Sequence, residues 1–290
     1  FVLPALLARL RVQLYYSPTF LPPLVSPCPQ AFTIHDLIHL DFAADYPASR
    51  RLAWRAIIGP RARRAHAVLT GSDAVAGQIA RRLRVPAGRI EVIGHGLEAS
   101  FRPRGEGEVR AIRARLGLEG DYLVAPGNRR SHKNLAGAVR AFQRLAALEQ
   151  APGLVIVGQA PDLSAPGPGR VIQAQELGDD ELAALYTGAR ATIFASLAEG
   201  FGLPPLEALA CGCPVVASDL PVLREVLGPE AALYTPPGDE AAMAKGLAQV
   251  LAETETASKR TQAGQAKAAG YTWEKAANKL RAVFDRLERD

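Results

Sequence analysis

Long apolar runs are missing from this chain, and cysteine and lysine are scarce. No stretch approaches the ~20 consecutive apolar residues that a membrane-spanning helix needs. The opening segment FVLPALLARLRVQLYY lacks the basic start and the small-residue cleavage site of a signal peptide. Three cysteines in 290 residues are too few for a disulfide framework. These absences indicate a soluble, globular protein of a reducing cytoplasm.

The three cysteines do not indicate a metal site either. Cys28 lies far along the chain from Cys211 and Cys213, which stand in the segment Ala-Cys-Gly-Cys-Pro. A single Cys-x-Cys without a second ligand pair is a poor zinc site, so we expect these small side chains to pack between a helix and the next strand. With 48% hydrophobic residues, the chain has enough apolar material for one large or two ordinary domains.

Positive charge is concentrated near the amino terminus. Residues 1–105 contain 14 arginines and 6 acidic residues, whereas residues 106–290 contain 20 basic and 23 acidic residues. Part of this charge alternates with apolar residues, in a set formed by Arg50, Arg51, Leu52, Trp54, Arg55, Ile57, Ile58, Arg61, Arg63 and Arg64. Two interpretations stay open, a basic amphipathic surface for anionic lipid or a phosphate-bearing acceptor and an ordinary solvated helix face. No nucleic-acid-binding motif accompanies the charge, so nucleic acid is not an expected partner.

Short β-branched runs alternate with longer helical patterns along the whole chain. Strands are predicted near residues 12–15, 31–34, 67–70, 90–93, 121–125, 153–157, 170–173, 191–194, 214–217 and 231–234. Helices are predicted near residues 47–65, 73–84, 134–147, 179–186, 204–211, 221–226, 238–251, 256–269 and 273–289. Such βα repetition predicts parallel sheets that are covered by helices on both faces.

The repetition divides into two domains. Residues 1–105 are predicted to form a Rossmann-like domain that is incomplete at its amino-terminal end, and residues 106–272 a complete doubly wound domain. The segment 102–107, Arg-Pro-Arg-Gly-Glu-Gly, is the predicted linker. Residues 273–290 are predicted to form a helix that packs back toward the first domain, and a Pro/Gly-rich loop is expected at 161–169.

The most informative segment runs from Glu199 to Glu207, with the sequence Glu-Gly-Phe-Gly-Leu-Pro-Pro-Leu-Glu. Its two glycines allow a tight turn, and Pro204 or Pro205 suits the first turn of a helix over about 204–211. The unpaired amides and the positive dipole end at that helix start would suit a diphosphate. The plainer alternative makes Glu207 a partner of the helix dipole and Glu199 a solvated loop acid.

Lys133 is unusual in a chain that strongly prefers arginine. The sequence has 28 arginines and 6 lysines, and Lys133 is the only lysine in the first 244 residues. It follows the strand predicted at 121–125, and ligands of open α/β sheets bind at the carboxyl ends of the strands. The position therefore favours a compact ammonium over a planar guanidinium, although a surface lysine placed by chance is the alternative.

Motifs along nearly the whole chain resemble those of one family, in that family's order. They are Thr33-Ile-His-Asp36, Val92-Ile-Gly-His-Gly96, the segment 123–135 with its Lys133-Asn134 pair, the segment 176–182, the paired-glutamate segment, the segment 213–219 and Tyr271-Thr-Trp-Glu274. The second domain is similar to the donor domain of GT-B glycosyltransferases, in particular the large retaining family four. The resemblance implies an α/β GT-B fold, in which two Rossmann-like domains face each other across a cleft.

The resemblance also implies roles for individual residues. Lys133 would contact the donor diphosphate, Glu199 would hold hydroxyls of the donor sugar, and Glu207 would hold the ribose. His35 matches the family's histidine that reaches toward the donor sugar, and His35 and Glu199 are the expected catalytic residues; a buried structural histidine is the alternative for His35. The other expected donor-binding residues are Gly127, Asn128, Arg129, Gly200, Phe201, Gly202 and Leu203. Many relatives have an arginine where this chain has Asn128, so a second cation is expected from Arg129 or Arg130, or is absent.

By the same resemblance, transfer retains the anomeric configuration and needs no metal. No enzyme nucleophile stands out in the sequence, so the expected mechanism is a front-face displacement in which the departing phosphate accepts the acceptor's proton. His39 and Asp41 extend His35-Asp36 into a pattern of metal-ligand residue types. We do not expect a metal there, because donor sites of this family use helix amides and cations, and the second domain contains no Asp-x-Asp.

The combination of motifs most resembles bacterial mannosyltransferases of polysaccharide assembly. It implies GDP-mannose as the donor, no further cofactor, a glycan or polyprenyl-diphosphate-linked acceptor, and a peripheral position on the anionic inner face of the membrane. A UDP-sugar-dependent glucosyl- or galactosyltransferase stays open, since no residue indicates the base. So does a truncated protein that binds nucleotide sugar without turnover, whereas the paired glutamates argue against a nucleotide-sugar epimerase.

Overall fold

The structure, a computed structural model, describes residues 2–20, 23, 25–146, 152–159 and 169–289. The chain folds into two compact units, one formed by Phe1–Gly96 with Tyr271–Asp290 and the other by Leu97–Gly270. The domain boundary predicted after residue 105 therefore falls inside the second unit. Most of the loop predicted at 161–169 lies outside the described residues.

The first unit is built on a parallel sheet. Its strands are β1 (Tyr15–Ser17), β2 (Gln30–Thr33), β3 (Ala67–Thr70) and β4 (Ile90–Val92), and they lie in the order β1-β2-β3-β4. Ala31 of β2 lies opposite Ala67 of β3, and all four residues of β3 are buried. Such uninterrupted burial is typical of a parallel strand that is covered on both faces.

Helices connect and cover these strands. They are α1 (Val2–Arg9), α2 (Ala48–Ala53), α3 (Gly59–Arg64) and α4 (Asp73–Gln78). A π-helical turn, Trp54–Ile58, joins α2 to α3, and a second one, Ile79–Leu83, extends α4. The core between these helices and the sheet contains Phe32, Ile34, Leu37, Trp54, Ile58, Val68, Val75 and Ile79.

The second unit contains a larger parallel sheet. Its strands are β5 (Tyr122–Pro126), β6 (Gly153–Val157), β7 (Val171–Ala174), β8 (Ala191–Phe194), β9 (Val215–Ser218) and β10 (Leu233–Thr235), in the order β10-β9-β8-β5-β6-β7. Its helices are α5 (Glu106–Arg115), α6 (Leu135–Ala146), α7 (Asp179–Thr187), α8 (Leu203–Ala210), α9 (Pro221–Leu227), α10 (Glu240–Ala252) and α11 (Thr254–Ala268). A large core includes Leu123, Phe142, Ile156, Ile193, Val216 and Leu247.

The last helix, α12 (Trp273–Leu287), belongs to the first unit. Val283 and Leu287 pack with Ala31, Ala67 and Leu69 of its sheet. Because α12 covers one face of the sheet while α2–α4 cover the other, the first unit has the three-layer arrangement that parallel sheets need. The two sheets confirm the predicted α/β class.

Two helices have no counterpart in the sequence prediction. The segment predicted as a linker, 102–107, runs into α5, whose start is fixed by the Gly105 amide donating to Glu108 Oε2 at 3.0 Å. Only Ile112 of α5 is buried, so the apolar stripe that reveals a helix in a sequence is almost absent. The amino-terminal α1 likewise buries only Leu7. Among all the helices described, none is both long and apolar enough to cross a membrane.

Candidate active site

The strand order of the larger sheet reverses between β5 and β8. From β5 the chain adds β6 and β7 on one side, and β8, β9 and β10 follow on the other. In open α/β sheets, ligands bind beyond the carboxyl ends of the two strands at such a reversal. Lys133 lies on the loop that follows β5, and Glu199 lies on the loop that follows β8. The structure thus places these two predicted residues on the two loops that border the reversal.

Lys133 and Glu199 form an ion pair between these loops. Lys133 Nζ lies 2.7 Å from Glu199 Oε1, and the two side chains are 16% and 8% exposed. The ammonium also lies 5.6 Å from the centre of the Phe194 ring, within the range of a cation–π contact. Solvent screens this pair less than it screens an exposed one. A negatively charged ligand could take the place of the carboxylate as the partner of this cation.

Backbone and amide contacts hold the same two loops together. The Leu197 amide donates to the His132 carbonyl oxygen at 2.7 Å, and Asn134 Nδ2 donates to the Ala195 carbonyl oxygen at 3.2 Å. Asn134 itself has a left-handed backbone, with a φ of 48°, and its Oδ1 accepts from the Gly137 amide at 3.3 Å. Asparagine tolerates this conformation better than most residues. Lys133 is therefore held between two residues that bind the opposite loop.

The glycine-containing turn leads into α8 as expected. The helix begins at Leu203, one residue before the predicted start, and Gly202 precedes it with a φ of 101°. A Cβ atom at Gly202 would overlap Leu223 Cδ2, so both the backbone angle and the space require glycine. Gly200 and Phe201 complete the turn, and Phe201 is buried. The first amides of α8 consequently lie a few residues along the chain from Glu199.

Glu207 lies in α8 but past its first turn, and that turn contains no acidic residue. The alternative in which Glu207 offsets the helix dipole is therefore not supported, because that effect is confined to the first turn. Burial, together with the negative charge of Asp179, raises the pKa of Glu207 from 4.5 to about 7. The pKa of the fully buried Tyr186 is raised mainly by burial and also by Glu207. Glu207 thus faces residues of α7 in a poorly hydrated environment.

The start of the loop after β5 is tightly packed. Gly158 has a φ of 107°, and a Cβ atom there would overlap the carbonyl oxygen of Gly127. Asn128 Oδ1 accepts from the Arg130 amide at 3.0 Å, so Asn128 shapes the turn. Asn128, Arg129 and Arg130 are exposed. Both arginines follow Asn128 on the loop that carries Lys133, and neither is favoured over the other as the second cation.

His35 belongs to the first unit and follows β2. It is exposed, its Nε2 lies 3.1 Å from the Pro18 carbonyl oxygen, and its ring stacks on that of His95 at 5.6 Å. The alternative of a buried structural histidine therefore does not fit His35. Burial and the neighbouring His35 lower the pKa of His95 to about 4, which leaves His95 neutral at pH 7.

The residues of the metal-ligand pattern around His35 make other contacts. His39 is buried, with its ring 4.0 Å from the Trp54 ring, and Asp41 forms an ion pair with Arg82 at 2.7 Å. Among the residues that the structure describes, no group of three or more His, Cys, Asp or Glu side chains is arranged to hold a metal. Cys211 and Cys213 are buried free thiols, and burial is the main cause that raises the pKa of each to about 12.

Two family models together match most of the chain. The model described as Glycosyl transferases group 1 matches residues 109–267, more than half of the sequence. The chain belongs to the glycosyl transferases group 1 family. A second model, described as Glycosyltransferase Family 4, matches residues 1–101. The two matched regions cover the two Rossmann-like domains, and the predicted family resemblance is confirmed.

Two bacterial proteins illustrate where this chain stands in the family. It is 30% identical over 219 residues to O-antigen chain mannosyltransferase B of Escherichia coli, covering 71% of this chain and 57% of that protein. It is 30% identical over 223 residues to O-antigen chain mannosyltransferase RfbU of Salmonella typhimurium, covering 73% of this chain and 58% of that protein. The chain thus spans less than three fifths of the length of either relative.

A solved structure supports the GT-B fold of this chain. The Anabaena protein HepE in complex with UDP superimposes with a TM-score of 0.77 at 18% identity, covering 100% of this chain and 83% of that chain. Identity this low supports the fold and carries no information about the donor of this chain.

Several interactions at the candidate site had no counterpart in the sequence prediction. Asn134 was expected only as part of a motif, yet its side chain connects the loop after β8 to the first turn of α6. Asp179 and Tyr186 were expected only as parts of α7, yet both interact electrostatically with Glu207. The adjacency of Asn134 to Lys133 was the available signal for the first contact. No sequence signal marked the others, since they depend on how α7 packs against α8.

Proposed function

We propose that this protein is a retaining, metal-independent hexosyltransferase that moves mannose from GDP-mannose to a glycan or polyprenyl-diphosphate-linked acceptor in bacterial cell-surface polysaccharide synthesis. The observation that carries the proposal is the ion pair of Lys133 with Glu199 at the strand-order reversal, one short turn before the start of α8. A cation and a helix start together suit the diphosphate of a nucleotide sugar.

The chemistry assigned to this site begins with the leaving group. As the glycosidic bond breaks, negative charge develops on the nucleoside diphosphate. Lys133 and the amides around Gly200 to Leu203 stabilise that charge, with Arg129 or Arg130 as a further cation. The incoming diphosphate replaces Glu199 as the partner of the ammonium, which frees the carboxylate to accept hydrogen bonds from hydroxyls of the donor sugar. The site therefore exchanges an internal ion pair for one with the donor.

Glu207 and His35 complete the proposed donor site. Glu207 accepts hydrogen bonds from the ribose hydroxyls, which suits a carboxyl group in a poorly hydrated environment. His35 assists at the donor sugar, as its match to the family motif implies. The acceptor hydroxyl attacks the same face that the diphosphate leaves, and the departing phosphate takes its proton, so the anomeric configuration is retained. This route uses no enzyme nucleophile and no metal.

The choice of mannose rests on two relatives that are named as mannosyltransferases. A UDP-sugar donor is the second candidate, because no residue of the sequence indicates the base of the nucleotide. The acceptor and the membrane position rest on the basic first domain. There Leu52 and Ile57 are 67% and 40% exposed within an arginine-rich segment. Such a surface fits an anionic membrane that carries a lipid-linked acceptor.

Nucleotide binding tests the donor site directly. We expect GDP to raise the melting temperature of the chain, because a ligand at ~100 times its dissociation constant adds roughly 2.7 kcal/mol of stability. UDP and ADP should raise it less, since the proposed donor is GDP-mannose. Lys133→Ala should weaken GDP binding by about tenfold or more, since a charge-assisted contact is lost. The matched control is Lys245→Ala, which removes an exposed lysine from α10. Equal GDP affinity in Lys133→Ala and wild type would contradict the site.

The products test the reaction itself. We expect mannose transfer from GDP-mannose to continue in excess EDTA, and the anomeric proton signals of donor and product to show the same configuration. Transfer of glucose or galactose from a UDP-sugar would replace the mannose assignment with the second candidate. Binding of GDP-mannose without any transfer to a lipid-linked acceptor would favour a protein that holds nucleotide sugar without turning it over.

A further inference from the structure

The first unit contains a cavity of about 280 Å³ that the proposed donor site does not use. It lies between the segment α2–α3 and the end of α4, and its lining consists of Leu40, Trp54, Gly59, Arg63, Arg82 and Leu83. This volume is close to the lower end of ~300–1,000 Å³ that is typical of small-molecule sites. Three of the residues are apolar side chains and two are arginines, so the cavity combines an apolar wall with positive charge.

Both π-helical turns of the first unit border this cavity. Trp54 opens the first turn and Gly59 follows its end, while Arg82 and Leu83 close the second. π-helical turns are rare and occur frequently at functional sites. Arg84, directly after the second turn, has a left-handed backbone with a φ of 57°, which is uncommon for a residue other than glycine. The helices on both sides of the cavity therefore depart from regular α geometry at the same place.

Two lining residues carry N–H groups that are not paired within the described part of the chain. Trp54 is 2% exposed, and its indole Nε1 is buried and has no hydrogen-bond partner among the described residues. A buried donor without a partner is costly unless something else accepts its hydrogen. Arg63 donates Nη1 to the Leu83 carbonyl oxygen at 3.1 Å, which leaves most of its N–H groups for other acceptors.

The cavity is lined by two arginines and lies in a strongly basic part of the sequence. Arg82 is paired in two hydrogen bonds of 2.7 and 2.8 Å with Asp41, so Arg63 supplies the uncompensated charge of the lining. The segment 50–89, which includes both π-helical turns, contains ten arginines and a single acidic residue, Asp73. Such a field favours a ligand of high negative charge. A phosphate monoester carries about −1.5 to −2 charges at pH 7, more than a carboxylate does.

We propose that this cavity binds a phosphate group carried on an apolar chain, with Arg63 and the indole Nε1 of Trp54 as hydrogen-bond donors to the phosphate and Leu40 and Leu83 in contact with the chain. The site lies wholly in the first unit and does not depend on the transferase proposal. The phosphate can belong to a membrane lipid or to a soluble phosphate ester. Binding of the protein to vesicles distinguishes the two sources.

Trp54 itself reports on binding. The chain has two tryptophans, so Trp273→Phe leaves Trp54 as the only one. In that background we expect octyl phosphate, below its micelle concentration, to change the Trp54 fluorescence saturably. Inorganic phosphate and octanoate should bind at least about tenfold more weakly, because the first lacks the apolar contact and the second carries only a single negative charge. A response that does not saturate, or octanoate binding as tightly as octyl phosphate, would overturn the proposal.

Three variants separate the cavity from the general charge. Gly59 has a helical backbone, and a Cβ atom there would lie 3.6 Å from Arg63 Nη1 and 3.9 Å from Leu83 Cδ2, so Gly59→Leu should fill the cavity and abolish binding. Arg63→Gln should weaken octyl phosphate by about tenfold or more. Arg64→Gln removes the same charge from an exposed neighbour outside the lining and should change binding less than about twofold. Equal losses in the two arginine variants would refute a site.

Binding to vesicles of phosphatidylcholine that contain phosphatidic acid shows whether the phosphate belongs to a membrane lipid or to a soluble ester. Weaker vesicle binding by Arg63→Gln than by Arg64→Gln indicates a membrane lipid, whereas equal vesicle binding with loss of octyl phosphate indicates a soluble ester. A cooperative melt at the wild-type temperature shows that each variant is folded. If Gly59→Leu is not folded, the comparison of Arg63→Gln with Arg64→Gln decides whether the cavity binds the phosphate. GDP binding without octyl phosphate binding would reject this proposal and leave the donor site intact.

Discussion

The pKa of the Glu207 carboxyl group depends strongly on the surroundings of this side chain. Burial and Asp179 raise its pKa to about 7, so the folded protein holds this proton more tightly than the unfolded chain does. The stability that comes from the neutral carboxyl group is therefore fully present below pH 4.5 and is lost as the pH rises through 7. A ribose that donates hydrogen bonds to the ionised form would offset part of this loss.

We predict that Glu207→Gln removes this pH dependence. The free energy of unfolding of the wild type, relative to the glutamine variant, should fall between pH 4.5 and pH 7 and then level off. Urea titrations at several pH values measure this difference. Glu119→Gln, an exposed residue of the same unit, is the matched control and should follow the wild type. A difference between wild type and Glu207→Gln that stays constant with pH would contradict the assigned environment.

Individual site residues could be located from the sequence to different degrees. Lys133 and Glu199 could be placed at the carboxyl ends of strands, because the strand pattern and the glycine-containing turn are local signals. Their direct contact could not be predicted, since it requires β5 and β8 to be neighbours in the sheet. The environment of Glu207 was equally hidden, because it depends on side chains of α7 that are some 20 to 30 residues away in sequence.

At the level of elements, the start of α8 depends on one glycine. We predict that Gly202→Ala destabilises the protein by about 1–3 kcal/mol, because alanine is strained at a φ of 101° and its Cβ would overlap Leu223. GDP binding should weaken as well, since the first amides of α8 move. Thermal unfolding and calorimetry measure the two effects.

The matched control for that prediction is Gly107→Ala. Gly107 lies in α5, where an added Cβ meets nothing within 4 Å. This variant should be neutral or more stable by roughly 0.4–1 kcal/mol, because alanine reduces the freedom of the unfolded chain. Two glycine substitutions with the same effect on stability would contradict a special role for Gly202.

The regular elements followed from the sequence where a periodic apolar pattern exists. The strands at 67–70, 153–157 and 191–194 have the predicted bounds, because buried parallel strands are uninterrupted apolar runs. The helices α1 and α5 were missed, since each buries a single residue and shows no stripe. The π-helical turns lie inside the helices predicted at 47–65 and 73–84, and an extra residue in one turn leaves no mark on a short amphipathic pattern.

For the whole molecule, the important feature is that the first unit is completed by α12. We predict that Leu287→Ala destabilises this unit by about 2–5 kcal/mol, because Leu287 is buried against its sheet. Amide exchange should accelerate in β2 and β3 and remain unchanged in β5 and β6. Arg281→Ala, an exposed residue of the same helix, is the control and should leave exchange unchanged. Equal acceleration in both units would contradict the division of the chain.

The first unit consists of two segments that are separated in sequence by the second unit. This arrangement has a consequence for synthesis on the ribosome. The sheet of the first unit emerges early, but Val283 and Leu287, which pack on Ala31 and Leu69, are translated only after the entire second unit. The second unit is one continuous stretch and can fold as soon as it leaves the exit tunnel. Until α12 has been translated, the segment that forms the sheet of the first unit exposes an apolar face. Such a face is a binding site for chaperones. Within these two units, the nascent chain is therefore most vulnerable to aggregation in the segment that forms the smaller sheet.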